Sequence, residues 1–218
     1  LGDVYKRQPQ WFMAVKDIED RVRNWLSGEG LEIKERDDPR ADFHFLVRYP
    51  PTKHGHLFNV LSPKERNLLV ISSVTQVDAG QQDEMNKHAN TDPEGWEEWL
   101  HDTRLQLTRA HVDWVLHVGH GEQKPGPLQA FNLSMPTWFD GVTQNEVMQT
   151  LRRLWLSKLS LIHEIKFSYG PGVGKPGPVD DWAKGGPKPV TDSTPSTKEV
   201  ETDETGGFGT GFDPSDWV

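Results

Sequence analysis

Histidine is the residue type in this chain best placed to do chemistry. His54-x-His56 and His117-x-x-His120 are two close pairs of imidazoles, and neutral imidazole is a common zinc ligand. A zinc site needs three or four convergent ligands and a second shell that orients them, so the two pairs would have to meet at one edge of the fold. Spacing alone does not bring them together, and four solvent-facing turn histidines would read the same way. Glu98-x-x-His101 has the spacing used in carboxylate-bridged di-iron bundles, but the second Glu-x-x-His that such a site requires is missing. A metal-dependent enzyme built on His54, His56, His117 and His120 is therefore the alternative reading, not the leading one.

Other catalytic chemistries find less support. The chain has no cysteine, which removes thiolate ligands, disulfides and a Cys nucleophile. Ser72, Ser73 and Ser134 are nucleophiles by type, yet none lies in a Gly-x-Ser-x-Gly elbow. Glu97 and Glu98 are consecutive on an expected helix and point in different directions, as a solvated face would. Asp140 precedes Gly141, and tight-turn chemistry accounts for that pair. Gly172, Gly174 and Gly177 match Gly-x-Gly-x-x-Gly by letter. A dinucleotide loop must open a helix, which Pro176 and Pro178 forbid, so chance within a Gly/Pro-rich stretch is the expected explanation. No catalytic residue is assigned, no cofactor is expected, and the balance is against an enzyme.

The elements that would position any site follow from periodicity. Ile18, Val22, Trp25 and Leu26 share one face of a first helix, which Gly28 and Gly30 end. A short strand is expected over Leu31 to Glu35. Phe43, Phe45, Val47 and Tyr49 then alternate with His44, Leu46 and Arg48 as a strand with one strongly aromatic face. Strands over Leu57 to Leu61 and Leu68 to Val74 flank a turn, and the unbroken apolar run Leu68 to Ile71 suggests a central strand buried on both faces. Ala79 to Asn90 carries a weak helical pattern. Asp92 caps a second long helix that starts at Pro93 and buries Trp96, Trp99, Leu100, Thr103 and Leu107. Strands over Asp113 to Val118 and Leu128 to Met135 follow. Thr143 and Glu146 form a capping box for a third helix with Val147, Leu151, Leu154 and Trp155 on its inner face. Leu161, His163, Ile165 and Phe167 alternate as a last strand, with a helical continuation as the alternative.

The ends differ from this core in composition. Asp3 to Gln8 matches one translated frame of a transposon end used in library preparation, so residues 1–12 are read as a non-native or disordered leader and Met13 as a start. Residues 13–168 are expected to form a single α+β domain. Residues 169–218 hold half of the chain's 20 glycines and are expected to be a disordered acidic tail, because they cannot bury enough apolar surface to offset their ordering entropy. Within that tail Phe208, Phe212 and Trp217 sit among Gly, Asp and Ser and suit a short aromatic-acidic peptide that docks on a partner. A formal net charge of -9 argues against wrapping nucleic acid. No apolar run approaches the length of a membrane span, and a cytoplasmic protein is the default expectation.

Several of these segments together carry a resemblance. Asn24-Trp25-Leu26-Ser27-Gly28-Glu29-Gly30-Leu31, Ala41-Asp42-Phe43-His44-Phe45, the Tyr49-Pro50 strand end and Asp140-Gly141-Val142-Thr143 before a Leu-rich helix are similar to a family of uncharacterised prokaryotic proteins, domain of unknown function 2299. The similarity spans about Met13 to Phe167. That family resembles in fold the type III secretion chaperones, small α+β proteins that often dimerise and bind extended client segments. The resemblance implies an α+β fold with a mainly antiparallel sheet and three principal helices, and a non-enzymatic, chaperone-like or accessory role with a protein partner or a second copy of itself. It brings no catalytic residues.

Overall fold

The computed structural model describes residues 15–120 and 125–180. Helix α1 (Val15–Gly28) buries Ile18, Val22 and Leu26 completely, one residue per turn. Its end is made by Gly30 at φ 71°, whose N–H returns to Ser27. Strands β1 (Ile33–Glu35), β2 (Ala41–Tyr49), β3 (His56–Pro63) and β4 (Leu68–Gln76) follow. Then come α2 (Ala79–Thr91), α3 (Pro93–Arg109), β5 (Asp113–His120) and β6 (Pro125–Trp138). A single 3-10 turn (Phe139–Gly141) leads into α4 (Gln144–Tyr169). The strands form one six-stranded antiparallel sheet in the order β1-β2-β3-β4-β6-β5, which makes the fold α+β as expected.

The described residues fall into two compact units, and β4, β6 and α4 each contribute residues to both. The first comprises residues 15–73 and Ser134–Leu156. Its register places Phe45 opposite Val60 and Val60 opposite Ile71, so one cross-strand row of apolar side chains runs over three strands. All three are at most 2% exposed. The α1 side chain Arg23 lies with its guanidinium 4.6 Å from the Phe45 ring centroid, and Tyr49 meets Trp155 of α4 edge-on. Helices therefore cover the aromatic face of β2, which is interior and not a solvent-facing patch. At about 25 cal/mol per Å2 of apolar area, burying each such aromatic contributes on the order of 2 kcal/mol.

In the second unit, residues 74–133 and 157–180, the buried side chains include Met85, Trp96, Leu100, Leu107, Phe131, Leu161 and Ile165. Asp92 serves two helices at once. Its backbone N–H donates to His88 at the end of α2, and its carboxylate accepts from Gly95 N (3.1 Å) at the start of α3. The weakly patterned stretch from Ala79 is thus a full helix, which joins the three principal ones expected to make four among the described residues.

Three expectations need correction. Leu161 to Phe167 is not a strand: α4 runs unbroken for 26 residues, burying Leu154, Leu161, Ile165 and Tyr169 at helical spacing while Phe167 is 90% exposed. The alternation was a coincidence of helical positions. β4 is central, but its residues alternate buried and half-buried instead of being enclosed on both faces. Residues 170–180, inside the stretch expected to be a disordered tail, hold a defined conformation on the second unit; residues 181–218 lie outside the described residues.

Candidate functional site

The four candidate metal ligands occupy different settings. His54 is exposed in the loop before β3, and His56 is buried at the first position of β3, opposite Tyr49. His117 is half-buried in β5, while His120 ends that strand with Nδ1 4.0 Å from Asp180 Oδ2. Among the described residues no three His, Asp or Glu side chains are grouped to hold a metal ion. Glu98 and His101 lie exposed on α3. Ser73, which had the right type for a nucleophile, donates to the Leu57 carbonyl. Phe208, Phe212 and Trp217 lie outside the described residues.

What the first unit presents is the other face of its sheet. Side chains alternate along a strand, so Leu57, Asn59 and Leu61 of β3 share the face opposite Phe58 and Val60. By register Asn59 lies beside Ser72 and Leu61 beside Val70. The bond from Phe139 N to Asn67 O (3.0 Å) sets β6 against β4 and brings Trp138 opposite Leu68. Leu57, Leu61, Leu68 and Val70 are half-buried, and Trp138 is 61% exposed. Toward β2 this face closes over a polar cluster. The His44 side chain is fully buried, with Nε2 2.9 Å from Asn59 Oδ1 and Nδ1 3.6 Å from Asp38 Oδ2. The Arg40 guanidinium bonds Asp38 and holds its carboxyl below the usual range, with a lesser contribution from His44.

The second unit carries a polar groove that no single motif announced. Asp78, 2% exposed, caps α2 by accepting from Gly80 N at 2.7 Å. The same carboxylate accepts from Val173 N and Lys175 N, both at 2.8 Å. Gln82 Nε2 lies within 3.3 Å of the Val77, Gln129 and Pro178 carbonyls. Gln81 donates to Gly170 O and Gln129 accepts from Asp180 N. Residues 170–180 thus form a strap whose main chain is held at both ends. Gly170, Gly172 and Gly174 have φ of 81°, 83° and 74°, a region L side chains rarely occupy. A Cβ at Gly177 would collide with the Gln82 amide. Gly172, Gly174 and Gly177 therefore serve the strap's own backbone and its contacts with Asp78 and Gln82, a role unrelated to the dinucleotide loop whose letters they match.

The strap starts from an aromatic cluster. Trp96 and Trp99 stack with centroids 5.2 Å apart, and Tyr169 meets both edge-on. The Tyr169 hydroxyl lies 3.0 Å from His88 Nδ1, and burial pushes its pKa well above the ordinary phenol value. Nearby, Thr75, Gln81, Phe131 and Ile165 line a cavity of about 10 Å3, room for about one water and not for an organic substrate. No helix among the described residues is long and apolar enough to cross a membrane.

Fold and surfaces define an α+β protein that presents a half-buried apolar sheet face and a polar main-chain groove. The chain belongs to the family described as Uncharacterized conserved protein (DUF2299), which it matches over residues 18–165. A crystal structure of an uncharacterized protein from Methanothermobacter thermautotrophicus is similar in fold, with a TM-score of 0.60 and 24% sequence identity. That similarity covers 70% of this chain and 99% of the other. No curated protein matches the chain.

Proposed function

We propose that this protein is a non-catalytic protein-binding module, chaperone-like or an accessory subunit, that recognises its partner through the sheet face of the first unit. The observation that carries this reading is Trp138, 61% exposed beside the half-buried row of Leu57, Leu61, Leu68 and Val70. A contiguous apolar surface of this kind marks protein contacts, and tryptophan is prominent among residues that dominate binding energy. The partner is a protein or a second copy of the chain, the setting is cytoplasmic, and Phe208, Phe212 and Trp217 supply a second, tail-borne contact. Likeness to type III secretion chaperones, suggested by the sequence, belongs to this same reading.

Trp138→Ser in the full chain tests the face. Sizing by light scattering and affinity capture from native lysate should show a partner or a dimer with the unaltered chain. The substitution should weaken that association at least about tenfold, a loss of about 1.4 kcal/mol of binding energy. Undiminished binding by the variant, or a monomer that captures nothing, would sink the proposal.

A further inference from the structure

We propose that the groove formed by Asp78, Gln81, Gln82 and Gln129 is a binding site for a glycine-bent polypeptide segment bearing glycines five residues apart, filled here by the chain's own strap. The inference is independent of the sheet face of the first unit.

The groove reads main chain. Asp78 Oδ1 and Oδ2 take the Val173 and Lys175 amides, Gln81 and Gln82 donate to the Gly170 and Pro178 carbonyls, and Gln129 Oε1 takes the Asp180 amide. Strand-like pairing completes the set: Ala79 N donates to Lys175 O (2.8 Å) and Gly177 N to Val77 O (2.9 Å), with Asp78 and Pro176 as an antiparallel bridge. Around that single bridge the groove holds main chain, so main-chain bonds supply affinity and close approach supplies selectivity. Selectivity here is steric. A Cβ at Gly172 would stand 2.5 Å from the Asp78 carboxyl carbon, and one at Gly177 would strike Gln82. Between them Val173 is 63% exposed, so the groove leaves that intervening side chain unread.

The strap's hold on the groove is mostly polar. Gly170 caps the end of α4 at φ 81°, its N–H on Lys166 O (2.9 Å), and the strap runs on from there. Val179 is its deeply buried apolar anchor, and the rest of its hold is polar. Segments with few buried apolar contacts occupy the low-stability end of local opening. A competing segment must overcome the effective concentration of the tethered strap, on the order of millimolar.

A two-part experiment decides the matter. Hydrogen exchange on the unaltered chain should find the Val173, Lys175 and Gly177 amides opening together, at least about a hundredfold faster than amides of β4. In the full chain carrying Gly172→Val, which disables the strap in place, a synthetic peptide of residues 168–181 should bind. The same peptide with alanine at 172 should bind at least about tenfold more weakly. Strap amides as protected as those of β4, or two peptides that bind equally or not at all, overturn the proposal. If the variant does not fold, the exchange measurement on the unaltered chain supports or overturns the proposal by itself.

Discussion

Gly172 lies against Asp78 so closely that a methyl group there would stand 2.6 Å from Oδ1, the atom that already accepts the Gly80 and Val173 amides. Gly172→Ala therefore meets two penalties, a left-handed backbone and a collision with a carboxylate that cannot move without releasing its donors. The expected destabilisation is about 2–3 kcal/mol. Gly30, with φ 71° and open space around it, is the control: Gly30→Ala should cost about 1 kcal/mol from the backbone alone. Urea unfolding of the two variants checks the order, and equal losses would contradict the close approach.

Tyr49 and Tyr169 are both pushed above the ordinary phenol pKa, chiefly by burial. A raised folded pKa means that the contribution to stability is complete below the unfolded value of about 10 and is lost as pH rises beyond it. Ultraviolet difference titration should show the phenolate signal of these two residues rising together with loss of secondary structure. A phenolate that forms at Tyr169 in a chain still folded at that pH would count against the burial of its hydroxyl beside His88.

Asp38 behaves in the opposite sense, because Arg40 holds its carboxyl below the usual range. Its contribution is present above the unfolded value of about 3.9 and is lost as pH falls through the lower folded value. Asp38→Asn should flatten that acid limb in urea midpoints taken at successive pH values. Asn59→Leu, which takes the Nε2 partner from the buried His44 ring, should cost about 1–3 kcal/mol at neutral pH.

Besides Asp78 on α2, side chains cap the starts of α3 and α4: Asp92 accepts from Gly95 N and Thr143 Oγ1 from Glu146 N, both at 3.1 Å. Asp92→Ala and Thr143→Ala should each cost about 1 kcal/mol, with Asp92→Asn close to neutral because it keeps an acceptor. Thermal unfolding reads these losses; an alanine as silent as one at exposed Glu97 would mean that the cap adds nothing to stability.

Much of the architecture was legible from local pattern. The Ile18, Val22 and Leu26 stripe, the Asp92-Pro93 start and the Thr143 cap depend on residues within one or two turns of each other, so the sequence carries the whole cause. The Leu161 to Phe167 run misled because Leu161 and Ile165 satisfy both periods, and only the helical phase inherited from Leu154 decides between them. The candidate sites were less legible. The glycines at 172, 174 and 177 were visible, but their partners Asp78 and Gln82 lie roughly ninety residues away along the chain, and nothing in the local pattern points to them.

The sequence by itself determined the α+β class, the order of most elements, the caps and the absence of thiol chemistry, because each rests on residue type or short-range spacing. Tertiary structure alone decided which face of the aromatic strand is interior, since alternation defines two faces but not which one the helices cover. It also decided that Gln81, Gln82, His44 and Lys158, polar residues that pattern reasoning leaves in water, are at most 3% exposed. Their burial is tolerable only where the fold supplies partners for polar atoms, as it does for Gln82 and His44 through residues distant in the chain.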